Sequence, residues 1–298
     1  MLRFFIFFAL ALAPVTSSCA APAPLLEISV DTEQTLIGAI RDESALPIIV
    51  QAGRYDLTDV KIPHDTMLIG RGHVIFYSSA PTQKGILNPL PGANLHVENI
   101  TFKGATSPDL NGAGIRHDGE DLTIINCRFN NNENGVLSTG TEDGRIKITG
   151  SSFIENGHGD GYSHGIYVVD AASLEINASE FIGTKIGHHV KSLAAQTKIT
   201  GTVFDDAEGE TSYALDASKG GDVVISGNRI TQAASASNAT IINYDLSRGG
   251  AAISLEISGN QIINHRANAT LLRNATPMAA VIENNQIRNE GRGALKAP

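Results

Sequence analysis

The segment LTIINCRF, Leu122 to Phe129, alternates apolar with polar side chains, breaks step at Asn126 and closes on Phe129. Alternation with period two marks a strand that buries one face. The pattern recurs along the chain. LHVENITF, IKITGSSF, LEINASEF, TKITGTVF, VVISGNRI, LEISGNQI and AVIENNQI end at Phe102, Phe153, Phe181, Phe204, Ile230, Ile262 and Ile287. With Phe129 in its place, successive ends lie 27, 24, 28, 23, 26, 32 and 25 residues apart. A single alternating strand cannot bury its apolar face alone, so a near-constant period of this length predicts a solenoid in which each repeat covers its neighbours. The one long gap contains the glycine-rich insertion SRGGAA after Ile230.

A second strand accompanies most repeats: GAGIRHD, NGVLS, SHGIYVV, GHHVKS, SYALD, ATIINYD and ATLLRN. Several short strands per repeat, each pairing with its equivalent one coil away, predict an all-β fold: a single-stranded right-handed parallel β-helix with ladders about 4.8 Å apart. Asn99, Asn126, Asn228, Asn260 and Asn284 sit where the coils turn, and are expected to supply left-handed backbone and side-chain to backbone bonds. Before the repeats, Asp31 and Gln34 read as a capping box for a short amphipathic helix over TLIGAI that closes the open end. LPIIVQAGRYDL and IPHDTMLIGRG then read as the first coils. This layout resembles the pectin-lyase-like family of right-handed β-helix proteins over residues 21–298. The resemblance implies the fold; it does not select among the lyases, epimerases, hydrolases, phage spikes and adhesins built on it.

Residues 1–20 stand apart. Arg3 gives a basic start, Phe4 to Val15 is apolar but too short to span a bilayer, and small residues follow, which predicts a secretory signal peptide and an exported, periplasmic or extracellular protein. Ser18 and Ala20 suit ordinary cleavage after Ala20. Cys19 offers a second reading, a lipid anchor to the envelope, although Thr16 stands where a lipoprotein box expects Leu. No transmembrane anchor is expected. In either case Cys127 is left alone, without a disulfide partner, and reads as a small buried apolar residue. The formal charge of −9 becomes −10 when Arg3 leaves, which argues against nucleic acid and requires a local basic patch for any polyanionic substrate.

Alternation places Ile166, Val190, Leu215 and Ile242 inside successive second strands, and therefore Tyr167, Lys191, Asp216 and Asn243 outside, in one stacked column. His164, His188, Tyr213 and Thr240 lie two residues earlier, where each strand leaves its turn, and His189 is expected to point out beside Lys191. Polar residues belong on the outside of any solenoid, and Lys191 with Asp216 also fits a simple surface ion pair. Their coincidence on consecutive coils is what marks the face as a candidate site.

The family resemblance implies a chemistry for such a face. β-Helix lyases that cleave acidic polysaccharides use a basic group to remove the proton beside a uronate carboxylate and a second group to help the glycosidic oxygen leave. On that reading Lys191 is the base, Tyr213 or His164 the acid, and Tyr167, His189, Asp216 and Asn243 bind a polysaccharide substrate. Arg116 and Arg273 are carboxylate binders by type but lie several coils away. No aspartate cluster like the calcium site of pectate lyases is found, so the sequence names no cofactor and leaves calcium unsupported. PHD, at Pro63 to Asp65, resembles part of an epimerase motif but lacks its leading Asp and reads as a turn before a strand. Asp160, Asp170 and Asp216 share no evident column for paired-carboxylate hydrolysis. His158, Asp160 and His164 in GHGDGYSHG form the one candidate metal set. Two functions stay open: a polysaccharide lyase acting on an acidic glycan, and a non-catalytic envelope or surface protein that binds glycan or a protein partner.

Overall fold

The computed structural model describes residues 26–296; the expected signal peptide, residues 1–20 with Cys19, lies outside the described residues. The chain forms a parallel β-solenoid of about nine turns with one helix. Each complete coil contributes three strand segments, and equivalent segments pair parallel and in register with the coils above and below. Leu122–Ile125, for example, pairs with Arg145–Thr149, and Arg128–Asn130 with Ser152–Ile154. The seven second strands named above all lie in a third sheet, whose nine strands run in chain order from Val60–Ile62 to Thr270–Asn274.

Register decides what the core contains. Phe102, Phe129, Phe153, Phe181 and Phe204 occupy one position in successive coils, and their rings stack with centroids 4.7–5.1 Å apart and planes within 14°. Rings stacked at this distance fill the interior at one ladder spacing, so the coil height and the aromatic contact distance match. Ile230, Ile262 and Ile287 continue the column toward the C-terminus.

The corner between the first two sheets needs a residue at positive φ in every coil. Asn99, Asn126 and Asn284 take it at φ 57°, 50° and 58°, as expected. Asn228 and Asn260 do not. Gly227 and Gly259 make the left-handed turn just before them, and the two asparagines turn inward instead. There they join a ladder in which each side chain accepts the backbone N–H of its counterpart one coil earlier. Thr202 N donates to Asn228 Oδ1 (2.8 Å), Asn228 N to Asn260 Oδ1 (2.9 Å) and Asn260 N to Asn285 Oδ1 (2.9 Å). Ser151, Ser179 and Thr202 hold the same place in earlier coils, so the rule is a short polar acceptor, not asparagine as such.

The helix spans Glu33–Arg41 and buries Leu36, Ala39 and Ile40 against the N-terminal coil. Its cap differs from the expectation: Thr32 is the N-cap and exchanges hydrogen bonds with Thr35, so the box sits one residue after the Asp31 and Gln34 pair. No helix among the described residues is long and apolar enough to cross a membrane. Cys127 lies in the corner ladder, and burial pushes its thiol up to about 12, which suits a packing role. If the aromatic column carries the core, Phe153→Ala should lower the unfolding free energy by about 3–5 kcal/mol in denaturant titration, because neighbours fixed by the ladder cannot collapse into the void. A loss below about 1 kcal/mol would show that the column is not continuous packing.

Candidate functional site

The third sheet brings the expected column together. Tyr167 pairs with Lys191, Lys191 with Asp216, and Asp216 with Asn243. Lys191 Nζ lies 5.1 Å from the centre of the Tyr167 ring and 3.5 Å from Asp216 Oδ2. Asp216 also accepts from Asn243 Nδ2 (2.7 Å) and Ser218 Oγ (3.3 Å), and His188 Nε2 stands 3.6 Å from Oδ2. Four donors thus surround one carboxylate. With side chains 13% and 6% exposed, Lys191 and Asp216 are no ordinary surface pair. Removing one partner would leave the other nearly buried and uncompensated, a larger penalty than an exposed pair carries.

Beside this column stands a second, built of rings. His164 stacks on His188 (4.7 Å, 10°), and His188 on Tyr213 (4.8 Å, 29°). The rings are held by the same device as the corner, run in the opposite direction. His164 N donates to Asn134 Oδ1 (2.8 Å), His188 N to His164 Nδ1 (3.0 Å), and Tyr213 N to His188 Nδ1 (3.3 Å). Since both Nδ1 atoms accept, each neutral ring carries its proton on Nε2. Burial, reinforced by His188 and Lys191, holds the His164 pKa well below its ordinary value. Burial also brings His188 down to about 4, Asp216 opposing it only in part. Both imidazoles are therefore neutral donors near pH 7. A neutral imidazole is a poor general acid, and His164 is 1% exposed, so its place is in the scaffold that sets His188 and Tyr213.

His189 departs from its expected place beside Lys191. It precedes the strand Val190–Ser192 and turns inward, fully buried, bonding Thr184 Oγ1 through Nδ1 (2.8 Å) and Asp206 Oδ1 through Nε2 (3.0 Å). Alternation cannot be extrapolated through a turn. His158, Asp160 and His164 do not converge either. Asp160 Oδ1 accepts the Tyr162 N–H, His158 Nδ1 lies 3.7 Å from Glu133 Oε1, and the His164 Nδ1 is occupied. Among the described residues no group of three or more His, Cys, Asp or Glu side chains is placed to hold a metal ion. Asp65 of the PHD string accepts from Asn94 N and Nδ2 of the next coil, a turn role.

The structure adds Arg273, which pairs with Asn243 in the column and donates Nη1 to Asn243 Oδ1 and Asp245 Oδ2, both at 2.6 Å. Burial alone would raise the Asp245 pKa, but hydrogen bonds from Ser247, Arg273 and Asn243 outweigh it and hold the group below its ordinary value. The segment ATLLRN contained this signal, since Leu272 faces in and Arg273 out.

No protein-family model matches the sequence, and no curated protein matches it. Among solved structures the chain is similar to an alginate lyase from Paenibacillus sp. str. FPU-7, with a TM-score of 0.67 and 15% identity over 89% of this chain and 96% of that one. ORF18 of Geobacillus virus E2 matches over 88% of this chain and 60% of that one, with a TM-score of 0.42 and 12% identity. At such identity the first likeness is one of fold: the β-helix of the lyase and this solenoid share their course over nearly their full lengths.

The burial of His117, His164 and His188 makes stability depend on pH. His117 lies beside Ser138 and is also brought down to about 4, burial outweighing Asp118 and Asp121. Each of His117, His164 and His188 is neutral when folded and takes up a proton on unfolding below about 6.5, so stability is complete above that pH and falls as pH drops, toward about 4 for His117 and His188. The slope should reach about 1.4 kcal/mol per pH unit for each histidine. Urea titrations across this window test it. His188→Asn should flatten the profile, and a wild-type stability that does not change between pH 6.5 and 4 would contradict the assignment.

Proposed function

We propose that the chain is a polysaccharide lyase that cleaves a uronate-containing glycan by β-elimination on the outer face of the third sheet. The observation that carries the reading is Lys191, held between the Tyr167 ring and the Asp216 carboxylate on consecutive coils. It is supported by a fold shared with a protein described as an alginate lyase, whose named substrate is a polyuronate. The Lys191 amine, in the unprotonated form that the step requires, takes the proton at the carbon beside the uronate carboxylate. The C–H electron pair becomes the new carbon–carbon double bond, the bond to the glycosidic oxygen breaks, and that oxygen takes a proton from a phenol. The neutral His188 Nε2–H lies 3.6 Å from Asp216 Oδ2 and helps fix that carboxylate beside Lys191.

Tyr213 is the proposed acid, since its ring is fixed by stacking on His188. Register favours a second assignment, Tyr167, because that ring lies directly beside Lys191. A second function has its own observation. The Lys191 to Asp216 contact is also what a glycan-binding surface without turnover would contain, and in that case the column only binds.

A panel of uronate polymers, followed by the absorbance of unsaturated products, separates these readings. Lys191→Arg should lose nearly all turnover, at least about a hundredfold, because a guanidinium does not accept the proton, while substrate affinity and folding stay close to wild type. Tyr213→Phe should lose a similar factor and Tyr167→Phe much less; the reverse order would make Tyr167 the acid. Full activity in Lys191→Arg would remove Lys191 from the mechanism.

A further inference from the structure

The described solenoid is covered at one end and bare at the other. At the N-terminal end the helix Glu33–Arg41 lies over the core with Leu36, Ala39 and Ile40. At the C-terminal end the strands Val281–Glu283 and Gln286–Asn289 pair only with the coil before them, and no strand among the described residues lies over them. The core meets solvent there. Ile287 is 45% exposed, whereas Ile262, one coil earlier in the same column, is fully buried, and Val281 is 53% exposed. The third side of this coil is irregular, with a single bridge from Thr270 to Lys296. Two regular strand edges therefore face outward, and they flank one corner, Asn284 and Asn285.

Backbone direction decides what fits these edges. In a parallel ladder the N–H and C=O of one residue point to the same neighbouring strand, and those of the next residue to the opposite one. Gln286 N donates to Asn260 O, Glu290 N donates to Asn264 O, and Glu283 O accepts from Gly259 N, so these residues face the coil before. Ile282 and Ile287 consequently turn their N–H and C=O toward the bare edge. Both side chains point to the core side. The two isoleucines also stand equally far from the corner in sequence. A two-fold axis through that corner, perpendicular to the solenoid, lays each strand antiparallel on the other strand of a second copy. Ile282 then meets Ile287 of that copy as a pair that exchanges both backbone hydrogen bonds, core side to core side. On the outer side Val281 meets the aliphatic stem of Arg288, and Glu283 stands diagonal to the same guanidinium, so charge is complementary at both symmetric contacts. An axis through either strand would instead set the other edge over the irregular third side. Head-to-tail stacking meets the helix, which leaves no bare core at that end to receive a tail.

We propose that the C-terminal coil docks a second copy of this chain, tail to tail, in a closed two-fold dimer with Val281–Glu283 of each copy on Gln286–Asn289 of the other. The contact lies away from the Lys191 column, so it holds or fails independently of the lyase reading.

Sedimentation equilibrium of the protein, at about 1 to 100 μM, should show reversible association to twice the chain mass. Glu283→Arg and Arg288→Glu each place like charges at both diagonals and should raise the dimer Kd at least about tenfold. The double exchange should bring it back to within about threefold of the parent, even though it leaves the Arg288 to Glu290 pair within the chain broken. Both positions are exposed, so urea midpoints of the charge variants should match the parent. Ile287→Pro removes an N–H on the bare edge without removing a ladder bond inside the chain, and should abolish the dimer. A parent that stays monomeric throughout, a dimer that ignores the single reversals, or a double exchange no tighter than the single ones would each overturn the proposal.

Discussion

In-register parallel stacking obliges every side chain to share its surroundings with its counterparts one ladder spacing above and below. Inside the solenoid that favours repetition of like with like, because flat rings at 4.7 Å fill the space between coils, as Phe129, Phe153 and Phe181 do. At the corners it favours repetition of a short acceptor, because each coil leaves an N–H that the neighbouring coil's side chain can take, as Asn260 does for Asn228. These two kinds of repetition, apolar and hydrogen-bonded, hold the coils at one height and leave the outer face free to vary.

The same obligation works against like charges on that face, since identical charges on adjacent rungs repel. The observed order avoids it: Tyr167, then Lys191, Asp216, Asn243 and Arg273, each charge beside an opposite charge or a dipole. The ring column shows the other solution. His164 and His188 sit on adjacent rungs at 4.7 Å because burial keeps both neutral, and their Nδ1 atoms are engaged by backbone N–H groups. Two properties useful at a reaction centre, fixed donors and a nearly buried amine, therefore follow from the packing rule of the fold and need no separate framework.

The architecture was legible because its signals are local and repeated. Alternation around Leu122–Phe129 and its seven counterparts names the strands, and the glycine before Asn228 or Asn260 names the turn once it is seen that glycine, not asparagine, bends the chain there. The outward column was legible for the same reason, since Ile166 and Val190 fix the phase of Tyr167 and Lys191. What escaped the sequence depends on turns and on distant register. The inward orientation of His189 is set by Thr184 and Asp206, one of them 17 residues away. Arg273 joins the column only because Asn243 meets it across 30 residues. The neutral state of His164 and His188 comes from burial that spacing along the chain does not report.

Everything functional here turns on whether a glycan lies over Lys191. A crystal structure of the Lys191→Arg protein with an oligouronate bound is the most direct measurement. It should show the sugar chain on the third sheet, with a uronate ring over position 191 between Tyr167 and Asp216. An oligouronate seated instead in the corner groove lined by Asp170, Lys219 and Ile253, or on either of the other two faces, would contradict the account.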